Sequence, residues 1–289
     1  MKILILGGSG MLGHRLWLNL NKHHETWVTV RTNAGEFPDW PEFPKDQIIP
    51  GVNALVFDQV ARALAVVKPE IVINCIGLIK QLELSNDPLS SIQVNALLPH
   101  QIALICRTAG IRMIHISTDC VFSGIKGSYV ETDESDATDL YGRTKFLGEL
   151  AYSHTITLRT SIIGRELKNH LGLIDWFLQQ SGSIRGFTQA IYTGFTTDEL
   201  SRIIINHVIP RQDLHGLFHV SSEAISKHDL LVLAKNAFDH QVDIQPYADF
   251  QCDRSLVSTH FRSATGYLPP SWEEMITELA TTKSDYSVL

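Results

Sequence analysis

Apolar residues fall into two recurring patterns through the first half of the chain. Short runs apolar at nearly every position, Lys2–Leu6, Thr26–Arg31, Ile71–Cys75, Arg112–Ser117 and Thr155–Arg159, predict strands buried on both faces. Between them, apolar residues recur at helical spacing over Gly10–Asn21, Gln59–Val67, Pro88–Arg107 and Asp139–Tyr152. Strand–helix alternation of this kind calls for right-handed crossovers and hence a doubly wound parallel sheet in an α/β fold. Past about Arg165 the pattern loosens. Helix Gly172–Gln180, a capping-box start at Thr196-Thr197-Asp198-Glu199, strand Gly216–Val220 and a second capping box at Ser226–Asp229 predict a smaller α/β lobe. The expected division is residues 1–165 for the first domain and 166–289 mainly for the second, with some later segments returning to the first. The stretch Arg31–Gly51 carries Pro38, Pro41, Pro44 and Pro50 and is expected to be an irregular excursion.

With 289 residues the chain has material for about two domains. Its 24 Lys and Arg against 31 Asp and Glu give a net charge of −7, which offers no broad electrostatic reason to bind a phosphate backbone; no nucleic-acid partner is expected. The start, Met1–Gly7, has no long apolar region followed by a small-residue cleavage site, and the apolar stretch Ile71–Ile79 is interrupted by Asn74. The four cysteines, Cys75, Cys106, Cys120 and Cys252, form no CxxC pair. These features predict a cytoplasmic protein with no membrane association and with buried thiols.

Strand Lys2–Leu6 runs into Gly7-Gly8-Ser9-Gly10-Met11-Leu12-Gly13 and then into a helix. That is the context a dinucleotide site requires: early glycines permit the tight turn, Gly10 lets a diphosphate approach the backbone, and Gly13 allows close helix packing. The first domain is therefore expected to be a Rossmann-type NAD(P)-binding domain. The glycines satisfy two spacings at once, so the turn alone does not separate ordinary from short-chain dehydrogenases. About 18 residues past Gly13 the second strand ends at Arg31, where an NAD-selective site would carry an acid. A cation there suits a 2′-phosphate, which points to NADPH and leaves NADH usable.

Tyr141-Gly-Arg-Thr-Lys145 starts a predicted helix, where residues four apart share a face. A phenol is a weak acid–base group at neutral pH, and a neighbouring ammonium lowers its pKa towards the useful range. Thr118, at the end of strand Arg112–Ser117, offers a hydroxyl for a substrate oxygen. Together these motifs resemble the extended short-chain dehydrogenase/reductase family. The resemblance rests on Gly7-x-x-Gly10-x-x-Gly13, Asn74-Cys75-Ile76-Gly77, Val94-Asn95-Ala96, Ser117-Thr118-Asp119-Cys120-Val121-Phe122 and Tyr141-x-x-x-Lys145, in the family's order over about 165 residues. Ser-Thr-Asp-x-Val-Phe with Leu158-Arg159-Thr160-Ser161 is most similar to the dTDP-4-dehydrorhamnose reductase branch.

What the resemblance implies is a catalytic set of Thr118, Tyr141 and Lys145, hydride delivery to a sugar C4 ketone, and protonation of the alkoxide by Tyr141. Lys145 would also meet the nicotinamide ribose, Asn95 a proton relay, and Cys75, Ile76 and Gly77 the cofactor. Asn53 and Ala54 would lie beside the adenine, while Asp58 reads more simply as a helix cap. Related dehydratases carry a carboxylate where this chain has Cys120, so reduction outranks elimination. An N-acetylated hexulose reductase, an epimerase and a non-catalytic NADP-binding regulatory subunit stay open as alternatives.

A nucleotide-diphosphate sugar needs cations, stacking surfaces and polar groups. Expected contacts are Thr118, Asp119, Val121, Phe122, Tyr141, Trp176 and Arg254, the last within Cys252-Asp253-Arg254-Ser255-Leu256, a segment weakly similar to one in the reductase branch. No metal site is expected: His215 and His219 would share a face only on a helix, and their segment reads as a strand. A homodimer is one arrangement open to such a chain.

Overall fold

In the computed structural model, residues 1–32, 43–80 and 83–282 are described. The chain forms two compact units that interleave along the sequence: residues 1–117, 138–158 and 208–217 make the first, and 118–137, 159–207 and 218–289 the second.

The first unit is built on a seven-stranded parallel sheet. Its strands, in chain order, are β1 (Lys2–Leu6), β2 (Glu25–Thr29), β3 (Ile48–Ile49), β4 (Ile71–Asn74), β5 (Arg112–Thr118), β6 (Thr155–Thr160) and, past three strands of the second unit, β10 (Gly216–His219). Their spatial order is β10-β6-β5-β4-β1-β2-β3, so the direction of winding reverses between β1 and β4. Residues Ile3 to Leu6 of β1 are all completely buried, as expected of a central strand covered on both faces. Ligands in such sheets bind outside the carboxyl ends of the strands at this reversal.

Helices α1 (Met11–Leu20), α2 (Phe57–Val67), α3 (Pro88–Ser91), α4 (Leu98–Ala109) and α5 (Leu140–Leu147) provide the crossovers, with a π-helical stretch, Ile92–Leu97, joining α3 to α4. Val60, Ala63, Leu64 and Val67 of α2 meet Leu98, Ile102, Ala103 and Cys106 of α4 over Leu4, Val72 and Met113 of the sheet. The helical run Pro88–Ala109 is 22 residues long and contains an 18-residue window of mean hydropathy 1.2, enough by length and composition to cross a membrane. Half of that window is buried, and its apolar face belongs to this core.

Two expectations change here. Helix Asp139–Tyr152 stops at Leu147 with Gly148 as its C-cap, a position that packs so close to the Asn95 carbonyl oxygen that a Cβ would lie 1.9 Å from it. The proline-rich excursion holds more order than expected. Pro44 leads into a single 3₁₀ turn, Lys45–Gln47, and β3 pairs in parallel with Val28 and Thr29. Residues 33–42, with Pro38 and Pro41, lie outside the described residues.

In the second unit a three-stranded sheet, ordered β11-β8-β12, contains two long strands. β8 (Ser183–Tyr192) runs parallel to β12 (Asp243–Asp253) and antiparallel to β11 (Ile225–Ser226). β7 (Ile162–Ile163) and β9 (Phe195–Thr196) form a second, two-stranded sheet. Around them lie α6 (Leu173–Leu178), α7 (Thr197–Ile203), α8 (Lys227–Ala237), α9 (Thr259–Thr265) and α10 (Trp272–Thr281). The predicted starts at Thr196 and Ser226 are N-caps, accepting from the backbone N–H of Glu199 and Asp229 respectively.

Candidate active site

The glycine turn is fixed by contacts that only glycine allows. Gly7 has φ of +88°, in the left-handed region, and its amide donates to the Thr29 hydroxyl at 3.1 Å. A Cβ on Gly13 would lie 2.1 Å from the Gly7 carbonyl oxygen, so α1 starts pressed against the turn. At Gly10, by contrast, the nearest atom to a Cβ is that same oxygen at 3.4 Å, which leaves its outer side open. The first turn of α1 has no acidic residue and Gly10 makes no side-chain cap, so its N–H groups and positive dipole end suit a diphosphate. Ser9, Met11 and Leu12 complete this turn. The residues present thus fit a dinucleotide cofactor.

Across the reversal, β4 ends beside the same turn. The Cys75 amide donates to the Leu6 carbonyl at 3.0 Å, and a Cβ on Gly7 would touch Ile76 at 3.2 Å. Burial pushes the Cys75 thiol up to about 12, which keeps it an inert wall residue. The Asn74 side chain accepts from the Ile76 amide and donates to Nδ1 of completely buried His115, fixing the path of Cys75-Ile76-Gly77. Asn95, on the π-helical stretch, holds the next residue by both ends: it accepts from the Leu78 amide at 2.8 Å and donates to the Leu78 carbonyl at 3.0 Å. Its side chain therefore braces the loop that carries Gly77.

Lys145 and Tyr141 stand one helical turn apart on α5. Asp139 caps that helix, accepting from the Gly142 amide at 2.9 Å, and pairs with Lys80, whose ammonium also lies 5.6 Å from the centre of the Tyr141 ring. Lys145 is buried and donates to the Ile116 carbonyl at 2.8 Å; a Cβ on Gly77 would be 4.0 Å from its Nζ. Desolvation lowers its pKa to about 8, opposed by Glu149 and Cys75. The ammonium is thus held over the carboxyl ends of β4 and β5, within reach of groups near Gly77.

Arg31 is exposed at a bend after β2. Asn53 turns inward on its own segment, accepting from the Leu55 amide at 3.1 Å, while its amide donates to Gln59 at 2.8 Å; Ala54 is half-buried beside it. Asp58 does not cap α2: Val56 holds that position, and Asp58 pairs with Arg62 one turn on.

The second unit carries Thr118 and the residues after it. The Thr118 hydroxyl accepts from the Cys120 amide and donates to Asp119, both at 3.1 Å, so it caps the turn Asp119–Val121. Burial raises the Asp119 pKa, while Arg254, the hydrogen bonds from Cys120 and Thr118, and Lys227 oppose that rise. Arg254 is half-buried, and its guanidinium donates to the Phe122 carbonyl at 2.8 Å and lies 3.9 Å from the Cys120 sulfur.

Val121 and Phe122 are corrected from contact residues to core: both are completely buried with Tyr129 and Leu256, and Phe122 stacks on Tyr129 at 4.0 Å. Trp176 is 39% exposed on α6. His219 serves structure, taking a hydrogen bond from Arg159 at 3.2 Å and giving one to the Tyr129 carbonyl at 3.1 Å; burial and Arg159 lower its pKa to about 4. Sequence reasoning missed Lys80, Lys227 and His115. Only Lys227 had a local signal, its place just after the Ser226 cap.

A family model, the RmlD substrate binding domain, matches residues 1–283. The chain belongs to that family. A dTDP-4-dehydrorhamnose reductase of Burkholderia thailandensis is 30% identical over 166 residues, 56% of this chain and 50% of that protein. The methionine adenosyltransferase 2 subunit beta of Mus musculus is 27% identical over 150 residues, 52% of this chain and 42% of that protein. The chain thus spans about half the length of these curated relatives. Among solved structures, a dTDP-4-dehydrorhamnose reductase from Bacillus anthracis in complex with NADP has a TM-score of 0.79 at 21% identity, covering 98% of this chain and 99% of that one. The doubly wound fold of the RmlD family member described above is the fold of that structure.

Proposed function

We propose that this RmlD family protein is an NADPH-dependent reductase of a nucleotide-activated 4-keto-6-deoxysugar, similar to dTDP-4-dehydrorhamnose reductase, in deoxysugar biosynthesis. One observation carries the reading. Buried Lys145, one turn from Tyr141, holds an ammonium beside Gly77 at the sheet reversal where the glycine turn can seat a diphosphate. The NADP bound by the Bacillus anthracis relative and the names of the curated reductases support the same cofactor and substrate class.

A reduced nicotinamide, when bound, supplies hydride to the C4 carbonyl carbon. The chain's own groups handle the proton and the geometry. Tyr141 gives its phenolic proton to the carbonyl oxygen as that oxygen gains charge, so the ketone becomes an alcohol and the phenolate is left beside the Lys145 ammonium. Lys145 stabilises that phenolate electrostatically. Thr118 offers its hydroxyl, given to Asp119 in the free protein, to a substrate oxygen. Asn95 keeps the Gly77–Leu78 backbone in place throughout. Arg31 takes the 2′-phosphate, and Arg254 faces the sugar or its diphosphate.

The regulatory reading draws on the subunit beta relative, and turnover separates the two. Mixing the protein with NADPH and a dTDP-4-keto-6-deoxyhexose should consume nicotinamide absorbance. Tyr141→Phe should lose about 100- to 10,000-fold in rate while binding NADPH normally. NADPH binding without turnover on this substrate or on UDP-linked N-acetylated keto sugars would favour the regulatory reading.

A further inference from the structure

Tyr192 closes β8, and its environment is unusual for a tyrosine so deep in a protein. The residue is only 6% exposed, yet among the described residues its hydroxyl has no hydrogen-bond partner. A buried unpaired hydroxyl is costly, and buried polar groups are nearly always satisfied. The neighbouring carbonyl does not meet that need. A Cβ on Gly194 would lie 2.2 Å from the Tyr192 oxygen and 2.3 Å from the Ser161 carbonyl oxygen, so both oxygens converge on one point. The Ser161 carbonyl there already accepts from the Phe195 amide at 2.9 Å.

The groups around the phenol all belong to the second unit. β8 and β12 are in register through Ile191 and Asp253, which brings the next residues, Tyr192 and Arg254, to the same end of the strand pair. Arg254 reaches the Cys120 sulfur at 3.9 Å. Burial raises the Tyr192 pKa, and the charges of Asp119 and Cys120 add to that rise; Ser161 works against it without reaching hydrogen-bond geometry. The phenol therefore stays protonated at working pH, as a donor facing the Asp119–Cys120 turn.

We propose that the Tyr192 hydroxyl is a specificity-determining contact that donates a hydrogen bond to a hydroxyl of the hexose held by the second unit. The inference rests on the nucleotide-sugar reading above. It assigns to Tyr192 a task separate from proton delivery: telling a hydroxylated sugar from the bare nucleotide. Gly194 is then required to be glycine, because any side chain would strike the donor oxygen. Sites built around a hydrogen bond to a substrate hydroxyl reject ligands that lack it, since the buried partner is left unpaired.

The test compares wild type with Tyr192→Phe by titration calorimetry, using a dTDP-6-deoxyhexose, dTDP alone and NADPH, with a melting temperature for each protein. Phe should bind the sugar nucleotide about 10-fold more weakly, the loss expected for one hydrogen bond. Binding of dTDP and NADPH should be unchanged. The melting temperature should hold or rise, because an unsatisfied buried hydroxyl has been removed. Equal binding of the sugar nucleotide by both proteins overturns the role of Tyr192 and leaves the functional reading standing. Parallel weakening of sugar nucleotide and dTDP with a lower melting temperature makes Tyr192 structural and also overturns it. A wild-type protein that binds NADPH but neither dTDP nor its sugar refutes the nucleotide-sugar reading, and this inference with it.

Discussion

Alanine at Gly10 and alanine at Gly13 should separate cofactor binding from folding, although the two positions lie within one turn. At Gly13 the new methyl would stand 2.1 Å from the Gly7 carbonyl oxygen, 2.9 Å from the Gly7 carbonyl carbon and 3.1 Å from the Gly8 Cα. All three are backbone atoms of a turn pinned by Thr29, so no flexible side chain can yield. Relief requires a main-chain shift of roughly 1 Å, which costs about 1–3 kcal/mol as overpacking and lowers the melting temperature by about 2–10 °C. At Gly10 the closest approach is 3.4 Å, an ordinary contact, and the backbone there is extended with φ of −74°. Gly10→Ala should therefore melt close to wild type. Its methyl projects into the space a diphosphate would use, and losing one charge-assisted backbone hydrogen bond weakens NADPH binding about 10- to 150-fold. Thermal melts and fluorescence titration with NADPH on both variants provide the assay. Wild-type NADPH affinity in Gly10→Ala would refute the placement of the diphosphate over this turn. A wild-type melting temperature in Gly13→Ala would refute the packing argument.

Replacing Arg31 with Ala should weaken NADPH about 10-fold or more while leaving NADH within about twofold, since only one carries the 2′-phosphate that a guanidinium binds; equal losses in parallel titrations would remove the basis for the cofactor preference. The pH profile of kcat/KM should fall as pH rises through about 8, where the Lys145 ammonium discharges in the free enzyme. A flat profile across that range would count against its role in stabilising phenolate. The same lysine has the opposite effect on folding. In the unfolded chain it keeps its proton to about 10.5, so its contribution to stability rises from about pH 8 to 10.5, as denaturant melts across that window would register.

The parts of the fold that announce themselves in the sequence are those whose burial is symmetrical or whose backbone is unusual. β1 is apolar from Ile3 to Leu6 because both faces are covered, and Gly13 after it marks a position closed to side chains. β12 gave no such signal: most of its residues are exposed and Pro246 interrupts it, so neither alternation nor an apolar run appears. β8, whose buried positions follow no simple period, was equally silent. β3, at two residues, is too short for any pattern.

Within the site, the Tyr141–Lys145 pair is legible because one helix sets its spacing. Long-range contacts decide the rest. Nothing near Arg254 foretells that its guanidinium meets Phe122 and Cys120, 132 and 134 residues earlier. Val121 and Phe122 were expected as contacts because they follow the strand that ends at Thr118, and they are core for the ordinary reason that they are large and apolar. The reach of helix Asp139–Tyr152 was overestimated because the helical spacing of apolar residues runs on past its C-cap at Gly148.

The π-helical stretch Ile92–Leu97 makes the long helical run intolerant of small changes in length. Such a stretch accommodates an extra residue by widening one turn, and it often occurs where function needs a side chain aimed off the regular helical path. Removing any one residue between 92 and 97 would let α3 continue into α4 as an ordinary helix. The flanking helices would keep their phase, because the widened turn is what absorbs the extra residue, but the side chains between 92 and 97 would be aimed differently. Asn95 lies inside the stretch, so it would lose its present direction and with it both hydrogen bonds to Leu78. Alignments within the family should therefore place no single-residue gap across this stretch, even where the surrounding sequence varies freely. A descendant that had closed it would be expected to fold well and bind its cofactor poorly.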